Sequence, residues 1–456
     1  MADPIKNSSS ESRPQILASS EMRPTSPVAR AIGATAVAIG RYRWMICALL
    51  LFGTTKNYMD RQVMGVLKTT LQHDLGWSEI DYGNLVFAFQ TFYAIGMLFV
   101  GRLVDRIGTR KAYSLAMIFW SLASMGHAIA RSFTSFLIAR SALGLGESAL
   151  FPASIKAIAE WFPKKERAFA TGVFNAGTNL GAIITPLIVP WITIHLGWRW
   201  AFVFIGALGF VWLGFWLALY HKPEEHPRCS AGELQYITAG REETISRVPW
   251  VRLLPLPQTW AFVVGKFLID PVWFFYLFWT PDFLQRRYGL PLSHIGVPIM
   301  VIYLISDAGS ISGGWLSSWM IRRGATINAG RKIAMLACAI LVTPVIFADR
   351  ASGMWGAVLL IGLAAAAHQG FSANLYTLPS DTFPNHAVGS VIGIGGMAGA
   401  VGGMLMAKVV GSTLQATGSY RILLLIAGVT YLIALGLIQL LVPKLEPANL
   451  RRETAV

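Results

Sequence analysis

Four charged residues lie inside stretches that are otherwise apolar, and their types suit the binding of an anion and the movement of a proton. Asp60 and Arg61 are neighbours in one such stretch, and Arg140 and Glu147 lie in another, seven residues apart. A charged side chain at the centre of a membrane-spanning helix costs about 2.5–3.5 kcal/mol even on lenient scales. We therefore expect these side chains to face a polar cavity and to pair with one another.

The spacing of Arg140 and Glu147 predicts on which face of the helix their side chains lie. In a helix, Arg140 and Glu147 lie on nearly the same face, about 10 Å apart along the axis. Gly144 and Gly146 lie between them, and glycine leaves a helix face thin. We expect that face to have room for a ligand or for a neighbouring helix.

The charges of the first stretch point in different directions. Asp60 and Arg61 are about 100° apart around a helix, so they cannot simply neutralise each other. Lys56 precedes Asp60 by one turn and could form an ion pair with it. Arginine stays charged and holds a carboxylate through two hydrogen bonds. If a bound anion occupied such an arginine, the protein carboxylate released from it would take up a proton more readily. Two interpretations stay open, which are coupling of protons to an anion and static ion pairs that hold the two stretches together.

These stretches belong to a chain whose composition suits a lipid environment. Of its 456 residues, 54% are hydrophobic and only 13% are charged, against about 25% charged in soluble domains. A helix needs about 20 apolar residues to cross a bilayer, and stretches of that length recur throughout the chain. The sequence predicts spans at 44–68, 82–101, 112–130, 133–162, 167–191 and 200–220, and then at 259–284, 292–320, 331–348, 353–379, 387–415 and 420–442.

Six spans, a polar segment and six further spans predict an all-α integral membrane protein. Its twelve transmembrane helices would form two pseudo-symmetric halves of six helices each. The predicted divisions are a disordered cytoplasmic tail (1–43), an N-terminal half (44–220), a cytoplasmic linker (221–258), a C-terminal half (259–442) and a cytoplasmic tail (443–456).

The net charge of +15 comes largely from basic residues between the spans. The tails, the linker and the loops on one side hold 25 of them, and the loops on the other side hold 7. Because basic residues accumulate in cytoplasmic loops, we expect a multi-pass protein of the cytoplasmic (inner) membrane with both termini in the cytoplasm. This pattern accounts for the charge without nucleic acid as a partner. Cys47, Cys229 and Cys338 have neither metal nor disulfide spacing, so we expect no metal and no cofactor.

The loop after the second span carries a pattern of glycines and charges, namely Gly101, Asp105, Arg106, Gly108, Arg110 and Lys111. A topology loop would explain its basic residues but not its aspartate and paired glycines. The loop resembles the motif of the major facilitator superfamily, in which it acts as an inner gate. After the eighth span, the stretch from Gly313 to Gly324 keeps glycine and arginine positions but lacks the aspartate, as expected of an old duplication. The predicted gating residues are Gly101, Asp105, Arg106, Gly108, Arg110 and Lys111.

Further residues resemble one family within that superfamily, the anion:cation symporters. They are the stretch from Asn57 to Arg61, Tyr93, and Arg140 with Glu147. The stretches at 265–279, 367–374 and 380–399 resemble its hexuronate-transporter branch more narrowly. The resemblance covers 44–442 and implies the major facilitator fold. It also implies that Asp60 and Glu147 are the proton-coupling pair and that Arg61, Tyr93 and Arg140 lie at the substrate carboxylate. Lys56 departs from the family pattern, because an apolar residue is expected there.

A sugar acid also needs partners for its hydroxyls and cover for its C–H faces. Polar side chains in a spanning helix usually face the bundle interior. The alternative for the aromatic residues is plain packing, and for Gln369 and Asn374 it is hydrogen bonding between helices. Asn175 and Asn179, one turn apart, share that ambiguity. The predicted residues for this end are Asn175, Trp273, Tyr276, Gln369, Ser372 and Asn374.

The function that we expect is proton-coupled symport of a small organic anion, most specifically a hexuronate such as glucuronate or galacturonate. The alternatives are another sugar acid or organic anion (an aldonate, glucarate or an aromatic acid), an efflux direction, and a non-transporting membrane sensor. We expect no enzyme, because the sequence has no metal cluster, nucleophile–base pair or phosphate loop. The expected partners are the anion, protons and the lipid bilayer, with the chain acting as a monomer.

Overall fold

The computed structural model describes residues 40–238 and 250–448, and its secondary structure is helical throughout. We number the spans α1 to α12 and give the letters a and b to the two parts of a broken span. Much of the predicted N-terminal tail and the end of the C-terminal tail lie outside the described residues. The spans are α1a Tyr42–Val66, α1b Lys68–Leu75, α2 Glu79–Ile107, α3 Thr109–Ile129, α4a Phe133–Glu147, α4b Leu150–Trp161, α5 Lys164–Leu196, α6 Trp198–Leu219, α7 Pro257–Tyr288, α8 Gly296–Arg322, α9 Ile327–Val342, α10a Met354–Leu375, α10b Thr377–Thr382, α11 Asn385–Thr417 and α12 Arg421–Leu441.

Ten helical segments of the described chain are long and apolar enough to cross a membrane. The two other spans are those that carry the interior charges. Charged side chains interrupt the apolar run of α1a, and α4 is broken after Glu147 into two shorter helices. Large apolar side chains such as Phe52, Ile138 and Ile311 are exposed on the outside of the bundle, where lipid would cover them. The predicted fold of twelve helices in two halves is confirmed.

Helix contacts divide the bundle into an N half (α1–α6) and a C half (α7–α12). In the N half, α1a packs along α5, α2 along α4a, and α3 along α6; in the C half, α8 packs along α10a and α7 along α11. The halves meet where α2 contacts α11, α5 contacts α8, and α1a crosses α7. Because α2 and α8 are equivalent in the two halves, as are α5 and α11, these contacts follow a pseudo-two-fold axis.

Both ends of the described chain lie at one end of the bundle, which we call the termini side, and the opposite end is the far side. The close contacts between the halves lie toward the far side. Gly65 of α1a lies against the backbone of Phe278, Gly83 of α2 against that of Ala407, and Gly296 of α8 against that of Pro186. The structure is therefore closed between the halves at the far side.

Part of the linker between the halves belongs to the described residues. It contains a short helix, Ala231–Thr238, beside the start of α1a. The Glu233 carboxylate accepts hydrogen bonds from the backbone N–H groups of Tyr42 and Arg43 at 3.1 and 3.0 Å. A carboxylate is favourable there because the first N–H groups of a helix lack partners and carry partial positive charge. This contact attaches the linker to the N half.

Candidate functional site

The interior charges of α1a form two ion pairs inside the N half. Arg61 Nε donates to Glu147 Oε2 of α4a at 2.7 Å. Lys56 Nζ lies 2.6 Å from Asp60 Oδ2, which is the i,i+4 pair that the spacing allowed. Ser124 of α3 donates to Asp60 Oδ1 at 2.7 Å. All these side chains are buried. Because of the two ion pairs, each carboxylate predicted to couple protons has a cation beside it.

Arg140 differs from the other interior cations because it has no ion pair within the described chain. Its side chain is fully buried, and none of its three guanidinium nitrogens has a hydrogen-bond partner there. The guanidinium lies 5.0 Å from the centre of the Phe89 ring. Glu147 Oε1 is also buried without a partner. Burying a charge without a partner is strongly unfavourable, so this site would gain most from a bound carboxylate.

Close packing of α2 on α4a holds Arg140 beside Phe89. A Cβ atom at Gly144 would lie 2.3 Å from the Phe89 carbonyl oxygen, so only glycine fits between the helices here. The thin face that the sequence predicted is therefore filled at Gly144 by a neighbouring helix. The break in α4 follows Glu147 directly, and Ser148 Oγ donates to the Leu145 carbonyl at 2.7 Å there.

Aromatic rings surround the Arg61 guanidinium. Its central carbon lies 4.7 Å from the ring centre of Tyr93, 5.1 Å from that of Tyr58 and 5.2 Å from that of Phe89. Tyr93 is half-buried. A cation held over ring faces gains electrostatic stabilisation without losing its hydrogen-bond donors. Arg61 Nη2 is indeed buried without a partner, so one donor remains for a ligand.

The predicted C-half residues of α7 and α10 lie in two different settings. Trp273 stacks on His368 with 4.9 Å between ring centres, and His368 Nδ1 lies 2.6 Å from the Tyr431 hydroxyl. Tyr276 is buried, and its hydroxyl has no hydrogen-bond partner within the described chain. Trp273 and Tyr276 therefore offer an aromatic face and a free hydroxyl.

The predicted polar residues of α10a and α5 differ in their burial and in their hydrogen-bond partners. Asn374 donates to the Gly313 and Gly370 carbonyls, both at 2.9 Å, and so joins α8 to α10a. Ser372 is buried and Gln369 is half-buried. Asn175 is exposed, whereas Asn179, one turn later, donates to Asp307 of α8 across the contact between the halves.

The predicted gating loop lies at the termini side, where Gly108 adopts a φ of 83° between α2 and α3. Asp105 Oδ1 accepts from Lys156 of α4b at 2.9 Å, and Arg110 donates to the Leu217 carbonyl at the end of α6. The loop thus ties together four helices of the N half. Gly101 is half-buried, and Arg106 and Lys111 are exposed.

Three buried amide side chains were not predicted as site residues from the sequence. Asn57 of α1a and Gln90 of α2 have neither their nitrogen nor their oxygen hydrogen-bonded within the described chain, whereas Gln62 of α1a is within hydrogen-bonding reach of Tyr303 of α8. Gln90 faces α11, since its amide nitrogen lies 3.4 Å from the position of a Cβ at Gly403. The sequence feature that could have indicated them is an amide side chain inside an apolar span, the same feature by which Gln369 and Asn374 of α10 were predicted. Such amides suit the hydroxyls of a ligand.

A group of ion pairs at the far side was also missed, and we call it the far-side ion cluster. Lys68 Nζ lies 2.8 Å from Glu79 Oε2 and 2.7 Å from Asp282 Oδ2. Arg286 Nε donates to Asp282 Oδ1 at 2.9 Å, and Arg286 also pairs with Glu79. Tyr420 donates to Asp282. Lys68 and Glu79 belong to the N half and the others to the C half, so the cluster joins the halves where the bundle is closed.

A two-half helical bundle with a buried, charged interior between the halves defines a membrane transporter. The sequence profile of the Major Facilitator Superfamily matches residues 50–407. The chain therefore belongs to the Major Facilitator Superfamily. The proteins of this superfamily to which it is similar are transporters and not enzymes.

Curated relatives and solved structures agree with this assignment. The chain is 31% identical over 382 residues to the "Hexuronate transporter" of Escherichia coli (strain K12), which covers 82% of this chain and 88% of that protein. It is 28% identical over 414 residues to the "Probable galactarate/D-glucarate transporter GudP" of the same strain, covering 86% and 91%. A bacterial homolog of the human lysosomal transporter Spinster, solved in an inward-facing and occupied conformation, has the same fold with a TM-score of 0.70 at 20% identity, covering 88% of this chain and 97% of that one.

Proposed function

We propose that this chain is a proton-coupled symporter of a sugar acid, specifically a hexuronate, that works by alternating access. The observation that carries the proposal is Arg140, a fully buried guanidinium without a hydrogen-bond partner in the described chain. A carboxylate would supply the two parallel hydrogen bonds that this group lacks. The relatives named for hexuronate and for galactarate or glucarate transport support a sugar acid as the bearer of that carboxylate.

In this proposal the two N-half carboxylates carry the protons. A substrate carboxylate bound at Arg140 would also attract Arg61, whose Nη2 is free. As Arg61 turns toward the substrate, Glu147 loses the cation 2.7 Å away and becomes easier to protonate. Asp60, held by Lys56 and Ser124, is the second proton site. Release of the substrate reverses these steps, which links each anion to proton movement.

The sugar end would lie toward the C half. Trp273 provides a ring face for the C–H groups, and the free Tyr276 hydroxyl can bind a substrate hydroxyl. Gln369 and Ser372 from α10a, with Tyr93 beside Arg61, complete the proposed set. Of the other residues predicted from the sequence, Asn374 is bonded to backbone carbonyls and Asn175 is exposed. We therefore propose Gln90, whose amide has no partner within the described chain, in their place.

We also propose that the chain acts as a monomer in the cytoplasmic (inner) membrane, with the termini side in the cytoplasm. The excess of basic residues on that side supports this orientation. The far-side ion cluster would then close the outer entrance in this structure. The loop from Gly101 to Lys111 would act as the inner gate.

The test is uptake of radiolabelled D-glucuronate into proteoliposomes that contain the purified full chain. An inward proton gradient should produce accumulation above equilibrium by the wild-type protein. Glu147→Gln should abolish this accumulation but retain exchange of external for internal glucuronate, because exchange needs binding without net proton movement. The matched control is Glu160→Gln, which lies in the same span, where its acceptor atoms bind Thr109 and Tyr220. Undiminished accumulation by Glu147→Gln would rule out its coupling role, and absence of any wild-type uptake would rule out the substrate.

A further inference from the structure

The C half contains a buried cation that the proposed function does not use. Lys266 Nζ of α7 lies 2.7 Å from Asp270 Oδ1 and donates to the Tyr376 hydroxyl at 2.9 Å. Its side chain is only 5% exposed, whereas that of Asp270 is 16% exposed. The pair is thus closed around the ammonium, and the carboxylate forms its more accessible side.

This pair repeats the one in α1a. Lys56 and Asp60 have the same i,i+4 spacing in the first helix of the N half. Both pairs lie before the crossing of Gly65 with the Phe278 backbone, and therefore on its termini side. On α11, Gly399 lies against Asp270, and Gly403, one turn later, lies beside Gln90 of α2. The Lys266–Asp270 pair therefore lies beside α11, about one turn from the place where Gln90 of the N half contacts that helix.

The backbone of α11 fixes the carboxylate in this position. A Cβ atom at Gly399 would lie 2.1 Å from Asp270 Oδ2, so the absence of a side chain at Gly399 makes room for it. Asp270 cannot move toward α11, and its other oxygen stays on Lys266. The neutral state of this pair is therefore built into the packing of α7 against α11.

The buried cations at the centre of the bundle differ in whether a carboxylate neutralises them. Lys56, Arg61 and Lys266 each have a carboxylate partner within the described chain, and Arg140 has none. Asp307, at the contact between α5 and α8, accepts from the amide of Asn179. Of these four cations in the described residues, Arg140 is therefore the one that a substrate carboxylate can bind without displacing a protein carboxylate. A second substrate carboxylate would meet a lysine that is already neutralised.

We propose that this transporter is selective for sugar acids with one carboxylate over those with two, and that Asp270 sets this limit by neutralising Lys266. The inference rests on the proposed sugar-acid function and adds the residue that excludes dicarboxylates from its site. A dicarboxylate would place its second charge against Asp270, and a like-charge contact in a desolvated site is strongly unfavourable. The hydroxyl end of a monocarboxylate instead meets a neutral pair that both donates and accepts hydrogen bonds.

The test is the ratio of affinities of the purified full chain for D-glucarate and D-glucuronate, measured by calorimetric titration. We expect the wild-type protein to prefer glucuronate. Asp270→Asn keeps the size of the side chain beside Gly399 and frees Lys266, so the glucarate-to-glucuronate affinity ratio should rise about tenfold or more. The double variant Lys266→Met with Asp270→Asn has no freed cation, and the gain should disappear.

A ratio separates selectivity from general damage, because a destabilised protein would lose affinity for both ligands together. The proposal is overturned if the wild-type protein binds glucarate as well as glucuronate. It is also overturned if Asp270→Asn leaves the ratio unchanged while glucuronate still binds, and in that case the proposed function stands. Absence of wild-type binding to either sugar acid would instead remove the proposed function, and the inference with it.

Discussion

Replacing Lys68 by methionine should open the far side of the transporter. The Lys68 ammonium is fully buried and lies between two carboxylates, at 2.8 Å from Glu79 and 2.7 Å from Asp282. Glu79 belongs to the N half and Asp282 to the C half. Methionine has a similar length and no charge, so the variant leaves two buried carboxylates with Arg286 as their remaining cation.

The size of the effect follows from burial. Removing one partner of a buried ion pair costs about 3–5 kcal/mol, because the other charge stays buried without compensation. Arg286 still pairs with both carboxylates and compensates part of their charge, so we take the lower value of about 3 kcal/mol. The cost falls on the far-side-closed state alone, because water reaches the carboxylates once the halves separate there. A shift of about 3 kcal/mol changes the ratio of open to closed molecules about 100-fold.

The assay is labelling of a single cysteine behind the cluster by a membrane-impermeant maleimide in right-side-out vesicles. Met64 is fully buried, one turn before Lys68, and Met64→Cys serves as the reporter. Lys68→Met should raise its labelling rate about 100-fold, in line with the population of the open state. The matched control is Lys332→Met, since Lys332 bonds only within the C half in the described structure. The background lacks the native thiols of Cys47, Cys229 and Cys338.

Two results would refute this reasoning. One is an unchanged labelling rate in a Lys68→Met protein that elutes as a folded monodisperse species. The other is an equal rise with Lys332→Met, because the effect would then be general loosening of the bundle.

Two further sets of variants test the interior of the N half. Lys56→Met and Asp60→Asn should each lower the free energy of unfolding by about 3 kcal/mol. The double variant should lose less stability than either single variant, because it leaves no uncompensated charge. Thermal unfolding in detergent measures these losses, and equal losses in all three proteins would contradict a paired role. Gly144→Ala should lower the melting temperature and transport, because its Cβ would lie 2.3 Å from the Phe89 carbonyl, whereas Gly126→Ala, where nothing lies within 4 Å, should do neither. A well-folded, active Gly144→Ala would disprove the close packing.

The contacts within one helix could be predicted from the sequence, and those between helices could not. The spacing of Lys56 and Asp60 allowed their ion pair, because an i,i+4 interval fixes the geometry locally. The partner of Glu147 is Arg61, which lies 86 residues away in the sequence. Its identity depends on how α1a rotates against α4a, and that rotation is set by packing of the whole half. The shared face of Arg140 and Glu147 indicated a site but not its partners.

The far-side ion cluster could not be predicted from the sequence for a different reason. Lys68 and Arg286 were counted among the loop charges that set topology, which is the usual role of basic residues beside spans. After Val66 the chain forms a short helix, Lys68–Leu75, and α2 then begins with a capping box at Ser78. These local features bring Lys68 to Glu79, but only the approach of the two halves adds Asp282 and Arg286.

The central claim is that Arg140 binds the substrate carboxylate, and ligand titration combined with thermal unfolding tests it most directly. Wild-type protein should bind D-galacturonate and should not bind D-galactose, which has the same hydroxyls up to C5 without the charge. Arg140→Met should abolish galacturonate binding without lowering the melting temperature, because it removes a buried charge that has no hydrogen-bond partner in the described chain. Binding of galacturonate to Arg140→Met with wild-type affinity would contradict the account.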